Sequence, residues 1–232
     1  ASLVLLEDDF KSIVEAVRLG RRIYDNIRHA MSYLIAVHVP TAGMALLPLL
    51  FGWPLVFAPV HIVFLEFVID PACSIAFEAE PAHPSTMRRP PRNPKEPLLG
   101  GRLLWSSFLQ GVVVLIAVAV LYYLVLDHGF AEERARAMAF TAVVLGNAAL
   151  ILSNRSQSRS IVATLLMPNR ALWWIVGGAL GGLALALYLP PMQRIFKFEF
   201  LAVADLLLCM LAASAGIVWS EIVKRRPGRT RQ

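Results

Sequence analysis

The chain has 232 residues, of which 57% are hydrophobic and only 16% charged, with a mean hydropathy of +0.62. Soluble globular chains carry about 25% charged residues, so this composition excludes a disordered, collagen-like or highly charged nucleic-acid-binding protein. Lys and Arg number 22 against 16 Asp and Glu, a formal net charge of +6, and that excess must sit in a few short polar segments.

In chain order, residues 1–6 (ASLVLL) form an apolar run of strand length that stops at Glu7, Asp8 and Asp9. With nothing beside it to pair with, it reads as the last strand of a domain that is absent. Asp8 or Asp9 can cap a helix over residues 9–30, because Phe10, Ile13, Val14, Val17, Ile23 and Ile27 recur at helical spacing. Lys and Arg fill much of its other face. An amphipathic helix on anionic lipid and a calmodulin-type target are two readings of it. A helix packed against a neighbouring domain is preferred, because no breaker separates it from the apolar segment that follows.

A bilayer core of ~30 Å needs about 20 mostly apolar residues per helical span. Six windows qualify: 31–52, 54–77, 103–126, 137–152, 171–189 and 201–219. The fourth is short, and either begins earlier or lies in a thin, protein-surrounded position. The fold class is therefore all-α and integral to the membrane: a six-helix transmembrane bundle preceded by an amphipathic stalk helix. Basic residues crowd alternate segments, namely the N-terminal stretch, the second-to-third connection, the fourth-to-fifth connection and the tail that includes Lys224, Arg225 and Arg226. Under the positive-inside rule both termini are cytoplasmic.

Ionisable residues inside a span each cost about 2.5–3.5 kcal/mol on insertion scales, so they mark function. Glu66 and Asp70 stand four apart, on one face of the second span. Pro71 follows at once and removes the amide that would bond the carbonyl of Phe67. Two carboxylates beside freed carbonyls in a broken helix suit a hard cation. The first span repeats the device with His38, Pro40 and Thr41, Pro40 freeing the carbonyl of Ala36. Asn147, in the fourth span, offers an amide oxygen. For Thr41 and Asn147, hydrogen bonding between helices is as good a reading as ligation. Two adjacent buried acids repel unless a cation or proton joins them, which favours function for Glu66 with Asp70. Cys73 has no second thiol nearby and makes a poor soft-metal site.

Other features read as structural. Gly177, Gly178, Gly181 and Gly182 give two overlapped GxxxG spacings, which favour close helix packing. Trp105, Trp173, Trp174, Trp219, Tyr122 and Tyr123 fall near span ends, as an interfacial aromatic belt does. Asp205 suits a helix start better than an ion.

These residues together form a pattern. Residues 5–10 (LLEDDF), 12–14 (SIV) and 20–27 (GRRIYDNI) resemble the junction in type II P-type cation ATPases where the phosphorylation domain ends and a stalk leads into the fifth membrane helix. Residues 87–98 (MRRPPRNPKEPL) look like that family's loop between helices six and seven, and 145–155 and 192–197 fit later parts of the same region. The resemblance covers essentially the whole chain. It implies that residues 1–30 are the end of the phosphorylation domain and the stalk, that 31–220 hold helices five to ten, and that 221–232 are a basic cytoplasmic tail. In the positions that hold ion ligands in the calcium-pumping members, this chain has His38 and Thr41, then Glu66, Ile69 and Asp70, then Asn147. Only Asp70 is retained, and the acid lost at Thr41 is partly offset by Glu66. The resemblance thus implies cation transport without naming the ion.

It also implies partners: the lipid bilayer, the transported cation and the remaining catalytic and membrane portions of the pump. No DKTGT motif, TGES loop or nucleotide-binding domain occurs in these residues, so ATP and Mg2+ are implied only for a complete pump and this chain alone should not hydrolyse ATP. The sequence opens on Ala1, which reads as a cut edge. A plasma-membrane location is expected. The alternative from another class is a non-enzymatic membrane protein, either a pump remnant acting as an assembly partner or a passive cation pathway through Glu66 and Asp70.

Overall fold

Helix α1 runs unbroken from Phe10 to Phe51, 42 residues. At 1.5 Å per residue it is about 60 Å long, twice the thickness of a bilayer core. One helix therefore serves as both stalk and first span, as the absence of a breaker before residue 31 predicts. The computed structural model describes residues 10–91, 97–155 and 169–225. The strand expected at 1–6, the Asp8–Asp9 cap, Arg92, Lys95, Arg159, the tail beyond 225 and the side chains of Cys73, Lys224 and Arg225 lie outside the described residues.

After α1 come α2 (Pro59–Pro71), a π turn (Ala72–Ala76), a 3-10 turn (Thr86–Arg88), α3 (Gly101–Asp127) and α4 (Glu132–Asn154). Then follow α5 (Arg170–Tyr188), the short α6 (Pro190–Phe196) and α7 (Val203–Arg225). Among the described residues there is no strand, and six helices are long and apolar enough to cross a membrane. All six match the six windows read from the sequence.

Helix α4 is the short fourth window, and it begins earlier than residue 137 and is enclosed by protein. In its most apolar stretch 83% is buried, against 22–39% for the other five spans. Several of its buried positions are small, among them Ala135, Ala139, Ala142, Gly146 and Ala149, which helps α1, α2, α3, α5 and α7 all to pack upon it. Val114 of α3 is wedged towards two glycines: an added Cβ on Gly146 would lie 3.1 Å from it, and one on Gly216 of α7 would lie 2.7 Å from it. Gly111 lets α3 meet α1, since a Cβ there would lie 2.5 Å from the carbonyl oxygen of Ala36 and 2.7 Å from Cβ of Val39. The carbonyl that Pro40 frees is thus packed against α3.

Polar clamps hold both ends of this bundle. At the stalk end, Ser32 of α1, Ser107 and Gln110 of α3, and Ser153 and Asn154 of α4 are all buried. Ser32 Oγ donates to Asn154 Oδ1 at 3.0 Å and lies 2.6 Å from Ser107 Oγ, while Asn154 Nδ2 donates to Gln110 Oε1 at 3.1 Å and Gln110 Nε2 to Ser153 Oγ at 2.8 Å. At the far end, Arg134 grips both oxygens of the buried Asp205 at 2.9 and 3.1 Å. Asp205 also accepts from the amide of Ala202 at 3.0 Å, the helix-start role expected of it. Arg136 donates to the carbonyls of Leu55 and Lys197. His61, fully buried, accepts at Nδ1 from the amide of Ala58 and donates from Nε2 to the carbonyl of Phe196. Those partners define one neutral tautomer, lodged among Phe57, Phe64, Phe140, Phe196 and Phe198.

Two structural expectations change. Of the overlapped GxxxG spacings only Gly182 meets another helix, at the ring of Phe64; Gly177, Gly178 and Gly181 face open space. Tyr122 is no belt residue: it is fully buried and donates to the carbonyl of Pro54 at 2.7 Å. Trp105 and Trp174 do stand exposed near the ends of their helices.

The glycine contacts are directly testable. Gly111→Ala should force α1 from α3 and lower stability by about 1–3 kcal/mol or more, read as a drop in the melting temperature of the detergent-solubilised protein. Gly178→Ala, which meets nothing within 4 Å, should melt like wild type.

A candidate cation site beside a π turn

Helix α2 carries Glu66 and Asp70 through a proline without unwinding. Pro71 keeps helical geometry (φ −64°, ψ −31°), as does Ala72 (φ −63°, ψ −45°), and the chain then widens into the π turn closed by Phe77 N donating to the carbonyl of Ala72 at 3.2 Å. The break expected at Asp70–Pro71 is therefore a widening of the helix, a geometry found mostly as isolated insertions at functional sites. Ser74 Oγ donates to the carbonyl of Asp70 at 2.7 Å, which ties the middle of the widened segment to the last turn of α2.

The five candidate ligands fall into two groups. Asp70 and His38 are exposed on the outer faces of α2 and α1, and Glu66 is half-buried. His38 Nδ1 donates to the carbonyl of Leu34 at 2.8 Å. Thr41 and Asn147 are buried. Thr41 Oγ1 donates to the carbonyl of Val37 at 3.0 Å, so its hydroxyl is engaged with its own helix. Asn147 has 0% exposure, and neither Oδ1 nor Nδ2 meets a hydrogen-bond partner among the described residues. Such an amide costs about 1–3 kcal/mol unless something joins it. Among the described residues no three His, Cys, Asp or Glu side chains cluster closely enough to hold a metal ion. Glu66, Asp70 and His38 thus do not close a shell by themselves.

Below the π turn the chain is latched to the stalk. Asn26 Nδ2 donates to the carbonyls of Glu78 and Glu80 at 3.2 and 3.0 Å, and Arg22 donates to the same two carbonyls. Arg21 reaches the carbonyls of Thr86 and Arg89, and Arg89 pairs with Asp25 at 2.7 Å. The carboxylate of Glu80 turns inward to Arg155 and Asn169. Sequence reasoning missed this set. Glu80 carried no signal beyond being an acid just past the apolar end of a span, and its partners lie 75 and 89 residues away.

The chain's relatives agree with this architecture. A family model described as "Cation transporting ATPase, C-terminus" matches residues 54–226. The chain is 27% identical over 225 residues to "Calcium-transporting ATPase type 2C member 1" of Mus musculus, covering 97% of this chain and 24% of that protein. It is 28% identical over 226 residues to "Calcium-transporting ATPase type 2C member 2" of Rattus norvegicus, covering 97% and 24%. It is 26% identical over 225 residues to "Calcium-transporting ATPase 1" of Schizosaccharomyces pombe, covering 97% and 25%. The chain thus spans about a quarter of the length of the curated relatives it matches.

The latch separates buried from exposed contributions. Asn26→Ala removes one of the two side-chain donors on each carbonyl, leaving Arg22 in place, and should destabilise by about 0.5–1.5 kcal/mol. Arg89→Gln removes a pair whose side chains are 43% and 23% exposed and should cost under about 1 kcal/mol. Thermal unfolding in detergent, at low and at high salt, distinguishes the two: only the Arg89 effect should shrink with salt.

Proposed function

The chain belongs to the cation-transporting ATPase C-terminal family, and from that premise we propose that it is the ion-binding membrane portion of an ATP-driven cation pump. In this reading both termini are cytoplasmic, α1 descends from a phosphorylation domain, and the six spans are the pump's helices five to ten in a plasma membrane. The cation is bound at mid-membrane by Asp70 and Glu66, with His38, Thr41 and Asn147 contributing from α1 and α4.

One observation carries the reading. Asp70 lies exposed on a membrane-spanning helix, next to a proline and a π turn, where a bare carboxylate is costly in lipid. That cost is removed if a further segment of the pump covers the face and a cation sits between the two. His38 of α1 is likewise exposed. Two carboxylates four residues apart supply the charge that a hard divalent cation needs, and the names of the relatives make Ca2+ the first ion to try. ATP, Mg2+ and the aspartyl-phosphate chemistry belong to the portion of the pump outside this chain. Phosphorylation there would move the stalk, and the unbroken α1 would carry that movement to His38 and Thr41 as one rigid lever.

In membranes holding the full-length protein, Asp70→Asn should reduce Ca2+-dependent phosphorylation from ATP to background. Undiminished Ca2+ dependence removes Asp70 from the site. Cation flux through liposomes holding only these 232 residues, without ATP, favours a passive pathway instead. Asn147 gives a second check, since an isosteric apolar replacement of an unpartnered buried amide stabilises the fold when the amide is purely structural. Asn147→Leu should raise the melting temperature in the absence of Ca2+ and also raise the Ca2+ concentration for half-maximal phosphorylation. A ligand role fails if only the first change is seen.

A further inference from the structure

We infer that Glu80 is a positioning residue for the cation site: held by Arg155, it aligns Asn169 on the last carbonyl of the π turn that follows Asp70 and Pro71. The inference rests on the functional reading above and adds to it a residue four positions past the π turn.

The geometry of the three side chains is closed. Arg155 Nε donates to Glu80 Oε2 at 2.9 Å and Arg155 Nη2 to Oε1 at 3.0 Å, a two-pronged pair with side-chain exposures of 1% and 4%. Asn169 Nδ2 donates to Glu80 Oε2 at 2.9 Å and to the carbonyl of Ala76 at 2.9 Å. Its Oδ1 accepts from the amide of Leu172 at 3.0 Å, capping α5. That capping bond settles which end of the amide is oxygen, so both N–H bonds of Asn169 are spoken for. Ala76 is the last residue of the π turn. Contacts therefore run without a gap from the end of α4, through Glu80 and Asn169, to the widened segment that begins next to Asp70.

Three considerations make this a positioning role. Glu80 is no cation ligand, because its oxygens already accept three hydrogen bonds and a guanidinium lies against them. A buried ion pair is weak support for stability as such, since apolar residues of similar size often serve as well or better. A π turn is an uncommon backbone geometry, kept where its surroundings specify it. Here the turn packs into the apolar core, and the side-chain hydrogen bond on its last carbonyl comes from one amide, which Glu80 orients. Groups that orient a ligand from outside the coordination shell typically change metal affinity about 10–100-fold when removed.

The test is a Ca2+ titration of phosphorylation from ATP in membranes holding the full-length protein, comparing wild type, Glu80→Gln, and Glu80→Met combined with Arg155→Met. The double variant keeps an apolar fill in place of the pair and should melt close to wild type. Both variants should need about tenfold more Ca2+ or higher for half-maximal phosphorylation, while the level at saturating Ca2+ stays near wild type. If the double variant melts like wild type and its half-maximal Ca2+ stays within about twofold, well short of the roughly tenfold shift expected, the inference is overturned while the functional reading stands. Loss of folded protein in both variants also overturns it, in favour of a folding role. Wild-type phosphorylation that ignores Ca2+ overturns the functional reading, and the inference with it.

Discussion

Helix α4 must be surrounded by protein on every side, and the rest of the bundle depends on that constraint. Small residues recur along it, among them Ala135, Ala139, Ala142, Gly146 and Ala149, and let neighbouring helices come close. In lipid there is no hydrophobic force pressing helices together, because the acyl chains are as apolar as leucine. Close contact and internal hydrogen bonds have to hold them instead. Val114 set towards Gly146 and Gly216, and Gly111 set against the carbonyl of Ala36, are places where such contact is close.

The polar residues of α4 divide by position. Its middle is apolar except for Thr141 and Asn147, and its ends carry the groups that bind other segments. Arg134 and Arg136 hold α7 and two connecting segments at one end; Ser153, Asn154 and Arg155 hold α1, α3 and the segment after α2 at the other. The bonds at the Ser153–Arg155 end are buried and satisfy groups that lipid cannot, and they join residues far apart in sequence. The hub helix thus fixes both ends of α2 indirectly, through Arg136 on the carbonyl of Leu55 and Arg155 on Glu80, and leaves the segment with Glu66 and Asp70 between two anchors.

The outer side of α1 and α2 is built differently. His38, Asp70, Phe67 and Leu46 are exposed there among the described residues. A membrane protein whose inner faces are so thoroughly paired has little reason to leave a carboxylate bare on an outer one. The proposed site lies on this open face and not in the closed hub, in a chain that spans about a quarter of its relatives' length.

Much of the fold was legible in the residues alone, because the requirement it answers is local. A span must satisfy its own backbone hydrogen bonds over about 20 apolar residues, so six helices and the continuation of the stalk into the first could be read by counting. Asp205 at a helix start, and Glu66 with Asp70 on one face beside Pro71, follow from spacing in the same way. Neighbours could not be read by counting. A helix that is apolar all round has no periodic stripe to say which side meets protein and which meets lipid. That is why Tyr122 proved to be core and Gly177, Gly178 and Gly181 proved to be open, and why the helix at Pro71 widened where a break was expected. It is also why Glu80 could not be matched in advance to Arg155 and Asn169. Residue type and spacing determined how many helices there are and which of them carry acids. The pairing of those helices, which only the tertiary structure decides, determined which polar groups are satisfied and which, like the Asn147 amide, meet no partner among the described residues.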